Sequence, residues 1–215
     1  MSINHRLLKI IDNSPSNVSL VAVSKTKSSD QIRQAYEAGQ RIFGENKVQE
    51  LVEKAALLPN NIQWHMIGHL QTNKVKYIAP FVSLIQTVDS KKLMLEINKR
   101  AQQNNRTICC LLQLKVAKED SKYGLSKDEL FYLNSMPLPH VKIVGIMGMA
   151  TNTNNILEIQ SEFKYLKSVF DQLNTINPQI TILSMGMSGD YEIAIDQGSN
   201  MIRLGSSIFG KRATL

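Results

Sequence analysis

The feature that most constrains the fold is a regular alternation of short apolar runs with longer amphipathic stretches along the 215-residue chain. The short runs are rich in Val, Ile and Leu and apolar on both faces, which is typical of parallel strands covered on both sides. They predict eight strands, at residues 19–24, 41–43, 63–67, 82–86, 107–116, 141–147, 180–183 and 201–204. Each strand is coupled to a segment of helical spacing.

Eight coupled strand and helix units predict an α/β fold, a single (β/α)8 TIM barrel over residues 1–215 with an additional N-terminal helix. Two helices start with a capping box, in which Gln31 follows Ser28 and Glu129 follows Ser126. The alternative is an open, doubly wound sheet, which uses the same alternation but usually has fewer strands.

The composition is that of an ordinary globular protein, with 43% hydrophobic and 20% charged residues. The sequence contains no run of about 18 apolar residues, so we predict no membrane span. The first residues lack the pattern of a signal peptide. Cys109 and Cys110 are adjacent in a strand, so their side chains point to opposite faces and are not expected to pair. We expect a cytoplasmic protein without a membrane partner.

The formal net charge of +7 raises the possibility of a nucleic-acid partner. The lysines and arginines are spread along the whole chain without an arm or stripe, so we expect no nucleic-acid binding. A phosphate-bearing small ligand also fits this charge. His65 and His69 have no neighbouring Cys or carboxylate in sequence to complete a metal site, so we predict structural hydrogen bonds for both and no metal.

Lys25 stands at the C-terminal end of the first predicted strand, where barrels of this class place functional groups. It shares strand parity with Val21 and Val23, so it points to the interior if they do. Burial there would lower the lysine pKa from about 10.4 and favour the neutral amine that attacks an aldehyde. The other interpretation is an ordinary exposed lysine at a strand end.

The end of the eighth strand strengthens the first interpretation, because this strand lies beside the first in a closed barrel. Arg203 shares parity with Met201 and Gly205 and is expected to point inward, where a guanidinium needs an anion or acceptor. Gly205 and Ser206 then offer backbone N–H groups and a hydroxyl. The loops after strands seven and eight are the usual phosphate site of the fold.

The loop after strand seven, residues 184–190, is rich in Ser and Gly and leads directly into a helix. Gly189 lets the backbone approach a ligand closely, and Ser188 adds a hydroxyl. Alternatively, Ser188 is a simple helix N-cap. The two loops converge beside Lys25.

An ordered set of motifs resembles the pyridoxal phosphate (PLP) homeostasis proteins, also called the proline synthase co-transcribed family. These motifs cover nearly the whole chain and are Val21-Ala-Val-Ser-Lys-Thr26, Phe43-Gly-Glu-Asn46, Val48-Gln-Glu50, Trp64-His65-x-Ile67-Gly68-x-Leu70-Gln71-x-Asn73-Lys74, Asp120-Ser-Lys-x-Gly124, Gly145-x-Met-x-Met149, Leu183-Ser-Met-Gly-Met-Ser-x-Asp190 and Arg203-x-Gly-x-x-Ile-Phe-Gly210.

The resemblance implies a barrel like the N-terminal domain of alanine racemase, with pyridoxal 5′-phosphate held on Lys25 as an aldimine. It further implies that phosphate is bound by Ser188, Gly189, Gly205 and Ser206, that Arg203 faces the pyridine nitrogen, and that Asn46 and Met185 line the ring. Lys115 departs from the family pattern, which usually has asparagine there; an inward Lys115 would change the charge near the cofactor.

Related racemases and decarboxylases carry a second β domain with an opposing acid/base residue, whereas five residues follow Gly210 here. Arg203 cannot accept a proton from the ring nitrogen, so the ring is expected to be a weak electron sink. We therefore expect a monomeric, non-catalytic carrier that maintains PLP supply and hands the cofactor to apo-enzymes. The alternatives are a minimal amino-acid racemase or a Schiff-base aldolase. Lys122 is either an exposed loop lysine or an auxiliary amine for transfer.

Overall fold

The strands of the computed structural model, which describes residues 2–117 and 123–210, close into an eight-stranded parallel barrel. They follow one another around the barrel in chain order: β1 (Ser19–Val23), β2 (Ile42–Glu45), β3 (Gln63–Met66), β4 (Leu84–Val88), β5 (Ile108–Gln113), β6 (Val141–Met147), β7 (Ile182–Ser184) and β8 (Met201–Leu204). Since β8 also pairs with β1, the sheet has no edge strand, and the alternative of an open doubly wound sheet is wrong.

Helices connect successive strands, and one precedes the barrel. In the described residues they are α1 (Ile3–Asp12), α2 (Ser29–Glu37), α3 (Val48–Leu57), a 3₁₀ turn (Thr72–Lys74), α4 (Val75–Ile78), α5 (Lys91–Gln103), α6 (Lys127–Asn134), α7 (Ile156–Ile176), α8 (Tyr191–Asp196) and α9 (Ser206–Phe209). Both predicted capping boxes are present, at the starts of α2 and α6. The predicted (β/α)8 barrel with an added N-terminal helix is confirmed.

Six of the eight strands have ends that differ from the sequence prediction, and β4 and β5 differ most. The strand predicted at 107–116 ends at Gln113, because the chain then turns toward residues 123–125: Leu114 forms an isolated bridge with Leu125, and the Gln113 amide donates to the Tyr123 carbonyl. The strand predicted at 82–86 instead begins at Leu84 and ends at Val88. Short apolar runs locate a strand better than they locate its ends.

The core is divided between the barrel interior and the layer under the helices. A small interior cluster contains Val21, Leu84, Leu111, Met147 and Met201, whereas the larger cluster packs the helices on the outside of the strands. Polar side chains are buried above the interior apolar cluster, toward the C-terminal ends of the strands. The apolar cluster thus fills the lower part of the barrel interior, and the C-terminal ends of the strands are left for a functional site.

Cys109 is half-buried and Cys110 fully buried, and both are free thiols. Burial and the neighbouring Cys109 raise the pKa of the Cys110 thiol well above its ordinary value. Within residues 2–117 and 123–210, no group of three His, Cys, Asp or Glu side chains is arranged to hold a metal ion. No helix of the same described ranges is long and apolar enough to cross a membrane.

Candidate functional site

A cavity of about 370 Å³ opens at the C-terminal end of the barrel. Its lining is Val23, Lys25, Thr26, Lys27, Asn46, Ile67, Met149, Met187, Ser188, Gly189, Arg203, Gly205, Ser206 and Gly210. Seven of the eight residues predicted for the site are in this set, and Met185 is not. The size suits a small ligand, because such sites usually occupy several hundred cubic ångströms.

Lys25 lies two residues after the end of β1 and is half-buried at the cavity wall. Val21 stands four residues earlier and belongs to the interior cluster. Strand residues at this spacing share a face, so Lys25 is directed to the barrel interior, as expected. In the pairing of β1 with β8, Val21 lies opposite Arg203. Lys25 and Arg203 therefore come from adjacent strands and reach the same cavity.

Arg203 is a buried cation with only 4% of its surface exposed. Its Nη1 donates to the Ser184 hydroxyl at 2.6 Å, and its Nη2 donates to the Gly148 carbonyl at 3.0 Å. Burial lowers the pKa of the guanidinium to about 10, and the charge of Asp190 opposes this shift. Arg203 is thus protonated at neutral pH, held at two points and presented to the cavity.

A chain of hydrogen bonds continues from Arg203 into the barrel. The Ser184 hydroxyl donates to Gln86 Oε1 at 2.7 Å, and Gln86 Nε2 is 3.0 Å from His65 Nδ1. Burial lowers the pKa of His65 to about 3, so the ring is neutral at physiological pH and its Nδ1 accepts from the amide. The hydrogen bond predicted for His65 is present. Ser184 and Gln86 were not among the predicted site residues, and their inward parity at strand ends is the sequence signal that points to them.

Ser188 joins the loops that follow β7 and β8. Its Oγ accepts from the Gly205 and Ser207 backbone N–H groups at 3.2 and 3.4 Å. The N-cap of α8 is Asp190, so the interpretation of Ser188 as a simple helix N-cap is wrong. The bonds hold the 184–190 loop against the start of α9, and Gly189, Gly205 and Ser206 face the cavity between them.

Asn46 lies immediately after β2, is half-buried and lines the cavity. Its backbone is held close to Gly68, where a Cβ would lie 2.3 Å from the Asn46 carbonyl oxygen. Only glycine allows this approach, which accounts for the glycine after Ile67 in the motif that begins at Trp64. Asn46 and Gly68 thus pack the loops after β2 and β3 together.

The ring contact expected of Met185 is not supported by the geometry. Ser184 points into the barrel interior, so the next side chain points outward, and Met185 is fully buried in the core beneath the helices. Met149 and Met187 line the cavity instead. The paths of the loops after β6 and β7 bring these two methionines to the cavity. Strand parity alone did not identify either of them.

Two further predicted positions, Lys115 and His69, are not among the cavity-lining residues. Lys115 follows β5 and its side chain is exposed, and it is not among the lining residues. His69 Nδ1 lies 2.8 Å from Asp89 Oδ2, and its ring stacks on Tyr123 at 3.8 Å, which is a structural contact as predicted. Lys122 falls outside the described residues.

The chain is similar to known proteins in both sequence and structure. The profile of the alanine racemase N-terminal domain family matches residues 1–213. The pyridoxal phosphate homeostasis protein of Haemophilus influenzae is 40% identical over 202 residues, covering 91% of this chain and 85% of the relative. The solved structure of PipY from Synechococcus elongatus PCC7942 with PLP bound is 35% identical, with a TM-score of 0.88, over 97% of this chain and 100% of PipY.

Alanine racemase from Streptomyces coelicolor A3(2) is similar in fold, with a TM-score of 0.83 at 14% identity. The match covers 98% of this chain and 58% of the racemase. At this identity the likeness concerns the barrel alone.

Proposed function

Because the chain belongs to the alanine racemase N-terminal domain family, and within it to the pyridoxal phosphate homeostasis proteins, we propose that it binds pyridoxal 5′-phosphate and maintains the supply of this cofactor. The observation that carries the proposal is the meeting of Lys25, Arg203 and the Ser188 loop around one cavity. The PLP held by PipY, which aligns over 97% of this chain, supports the same ligand.

The groups around the cavity fit the chemical parts of this cofactor. Pyridoxal 5′-phosphate supplies an aldehyde that condenses reversibly with an amine and releases water. Lys25 is the amine we assign to that attachment. Ser188, Gly189, Gly205 and Ser206 would hold the phosphate at the joined loops, and Asn46 would lie along the ring.

We assign Arg203 to the pyridine nitrogen, and its protonated state supports storage of the cofactor. A guanidinium offers donors only, so it holds the nitrogen unprotonated and leaves the ring a weak electron sink. The bonds to Ser184 and Gly148 keep the donors in place. We propose that the protein holds the cofactor without substantial turnover and hands it to PLP-dependent apo-enzymes, as a cytoplasmic monomer.

The second candidate is a minimal PLP-dependent amino-acid racemase, which the shared barrel with alanine racemases favours. Polarimetry or chiral chromatography of alanine and other amino acids incubated with the cofactor-loaded protein separates the two. Racemisation at enzyme-like rates would establish the second candidate. Loss of bound cofactor to an added apo-enzyme, without racemisation, supports the first.

Borohydride reduction of the cofactor-loaded protein followed by peptide mass mapping tests the site. We expect the reduced adduct on Lys25 and its absence in Lys25→Ala, together with loss of the absorbance band of bound cofactor. Lys27 lines the same cavity, so Lys27→Ala is a matched control that keeps both. An adduct on any other lysine of the wild-type protein contradicts the assignment.

A further inference from the structure

Lys54 is a buried lysine on α3 that contacts Ser24, the residue before the proposed cofactor lysine. Only 6% of its surface is exposed. Its Nζ donates to three oxygens: the Ser24 carbonyl at 2.7 Å, Glu45 Oε1 at 2.8 Å and Glu50 Oε1 at 2.7 Å. We call Glu45, Glu50 and Lys54 the α3 charge cluster.

The α3 charge cluster holds the chain on both sides of Lys25. Before it, the fully buried Ser24 donates from Oγ to Glu45 Oε1 at 2.6 Å and accepts from Lys54 at its carbonyl. After it, the Thr26 backbone N–H donates to Glu50 Oε1 at 2.6 Å. Because Ser24 is tied to the outer side of the barrel, the alternation of side chains directs Lys25 to the cavity. The bond to Glu50 fixes the backbone that follows.

Thr26 has a backbone conformation that threonine does not favour. Its φ of 64° lies in the left-handed region, which is unfavourable for a β-branched residue. Such residues persist only where surrounding contacts impose the conformation, and they concentrate at functional sites. The bond from the Thr26 N–H to Glu50 is a contact of this kind.

The α3 charge cluster is poorly explained as a device for stability. Glu45 is fully buried, and its Oε2 is a buried side-chain atom without a hydrogen-bond partner in the part of the chain that the structure describes. Burial raises the pKa of this carboxyl, against the hydrogen bonds from Lys54 and Ser24. Apolar side chains in place of a buried ion pair are often equally or more stabilising.

From these contacts we infer that Glu45, Glu50 and Lys54 are positioning residues that preset the backbone of Lys25 for covalent capture of the cofactor aldehyde. The inference rests on the proposed function. It predicts that disturbing the α3 charge cluster slows covalent capture while non-covalent binding at the phosphate loops is retained, because Ser188 and Gly205 belong to other elements.

The experiment uses Glu50→Met, which removes the acceptor of the Thr26 and Lys54 bonds, and Lys54→Met, both in the full chain. The matched control is Lys167→Met, which breaks an exposed ion pair of the same helical spacing, Lys167 to Asp171 at 2.7 Å on α7. Two quantities are measured for each folded protein: the rate at which the absorbance band of bound cofactor appears, and the affinity for pyridoxine 5′-phosphate. This analogue has an alcohol in place of the aldehyde and cannot be captured covalently.

We expect capture to slow by about tenfold or more in both cluster variants, because small misplacements of a reacting group have large effects on rate. The analogue affinity should change by less than about threefold, and Lys167→Met should match wild type in both quantities. A simple loss of stability would not separate the two measurements in this way.

Thr26→Gly in the Glu50→Met background provides a rescue test. Glycine adopts a positive φ without steric cost, so the double variant should recover part of the lost capture rate. Capture at the wild-type rate in both Glu50→Met and Lys54→Met, or equal loss of capture and analogue binding, would overturn the inference and leave the proposed function standing. Absence of capture in the wild-type protein would instead overturn the proposed function. The Glu50 side chain is 22% exposed, so Glu50→Met should fold even if Lys54→Met does not.

Discussion

Arg203 and Ser184 are joined by a 2.6 Å hydrogen bond from guanidinium Nη1 to hydroxyl Oγ at the upper end of the barrel interior. The same hydroxyl donates to Gln86, which reaches the neutral ring of His65. The orientation of the buried cation is therefore set by side chains on three strands, and it does not depend on a ligand.

Ser184→Ala should destabilise the protein by about 1–3 kcal/mol, because it leaves one donor of Arg203 and one acceptor of Gln86 buried without this partner. We also expect weaker cofactor binding, since Arg203 loses one of its two fixed points. Chemical denaturation and absorbance titration measure the two effects. Ser168→Ala, which removes an exposed hydroxyl on α7, is the control. Unchanged stability in Ser184→Ala would argue against the hydrogen-bonded chain.

Stability should fall in mildly acidic solution because of His65. Its folded-state pKa of about 3 lies below the unfolded value of 6.5, so between these values the unfolded chain binds a proton that the native ring does not. The contribution is fully present above pH 6.5 and is lost as pH falls toward 3. The loss is about 1.4 kcal/mol for each pH unit, or about 2 kcal/mol at pH 5.0.

His65→Asn tests this origin, because it removes the titrating ring. Urea unfolding at pH 7.5 and 5.0 should show a smaller difference in the free energy of unfolding for His65→Asn than for wild type. His5→Asn, at an exposed position of α1, should keep the wild-type difference. Equal differences in wild type and His65→Asn would show that other groups cause the acid sensitivity.

Gly189→Ala should reduce cofactor affinity without a loss of stability beyond about 0.5 kcal/mol. A Cβ at Gly189 has no protein atom within 4 Å, and the residue lines the cavity, so the added methyl group would take space that we assign to the phosphate. Thermal unfolding and absorbance titration check the two parts. An affinity equal to that of wild type would place the phosphate elsewhere in the cavity.

Gly68→Ala should impair both folding and binding. Its Cβ would lie 2.3 Å from the backbone oxygen of Asn46, so the two loops must separate and Asn46 must move. We expect a loss of about 1–3 kcal/mol of stability, as for overpacked sites, together with reduced cofactor affinity. The same measurements on Gly189→Ala serve as the comparison, because that site has open space. Wild-type stability in Gly68→Ala would mean that the loops yield freely.

Much of the barrel could be predicted from the sequence because its signals are local. Alternating periods located eight strands, and the capping boxes at Ser28 and Ser126 located two helix starts. Parity along β1 and β8 was sufficient to direct Lys25 and Arg203 toward one cavity, since adjacent strands in a closed barrel share an interior. The strand ends were less certain, because pairing partners decide them.

The remaining site depends on contacts between distant segments. The family resemblance assigned Met185 to the ring, but alternation after the inward Ser184 turns its side chain to the outer core. Met149 and Met187 reach the cavity on loops whose paths follow from packing. In sequence, Glu50 and Lys54 are an ordinary helical ion pair of the kind found on surfaces.

The sequence by itself determined the order of strands and helices and the strand parity that brings an amine and a guanidinium to one end of the barrel, because both follow from periodicity within single elements. Only the tertiary structure decided that Lys54 is buried against Glu45 and Ser24, and that Arg203 is held by Ser184 and Gly148. Burial and hydrogen-bond partners depend on how separate elements close over one another, which no local pattern contains.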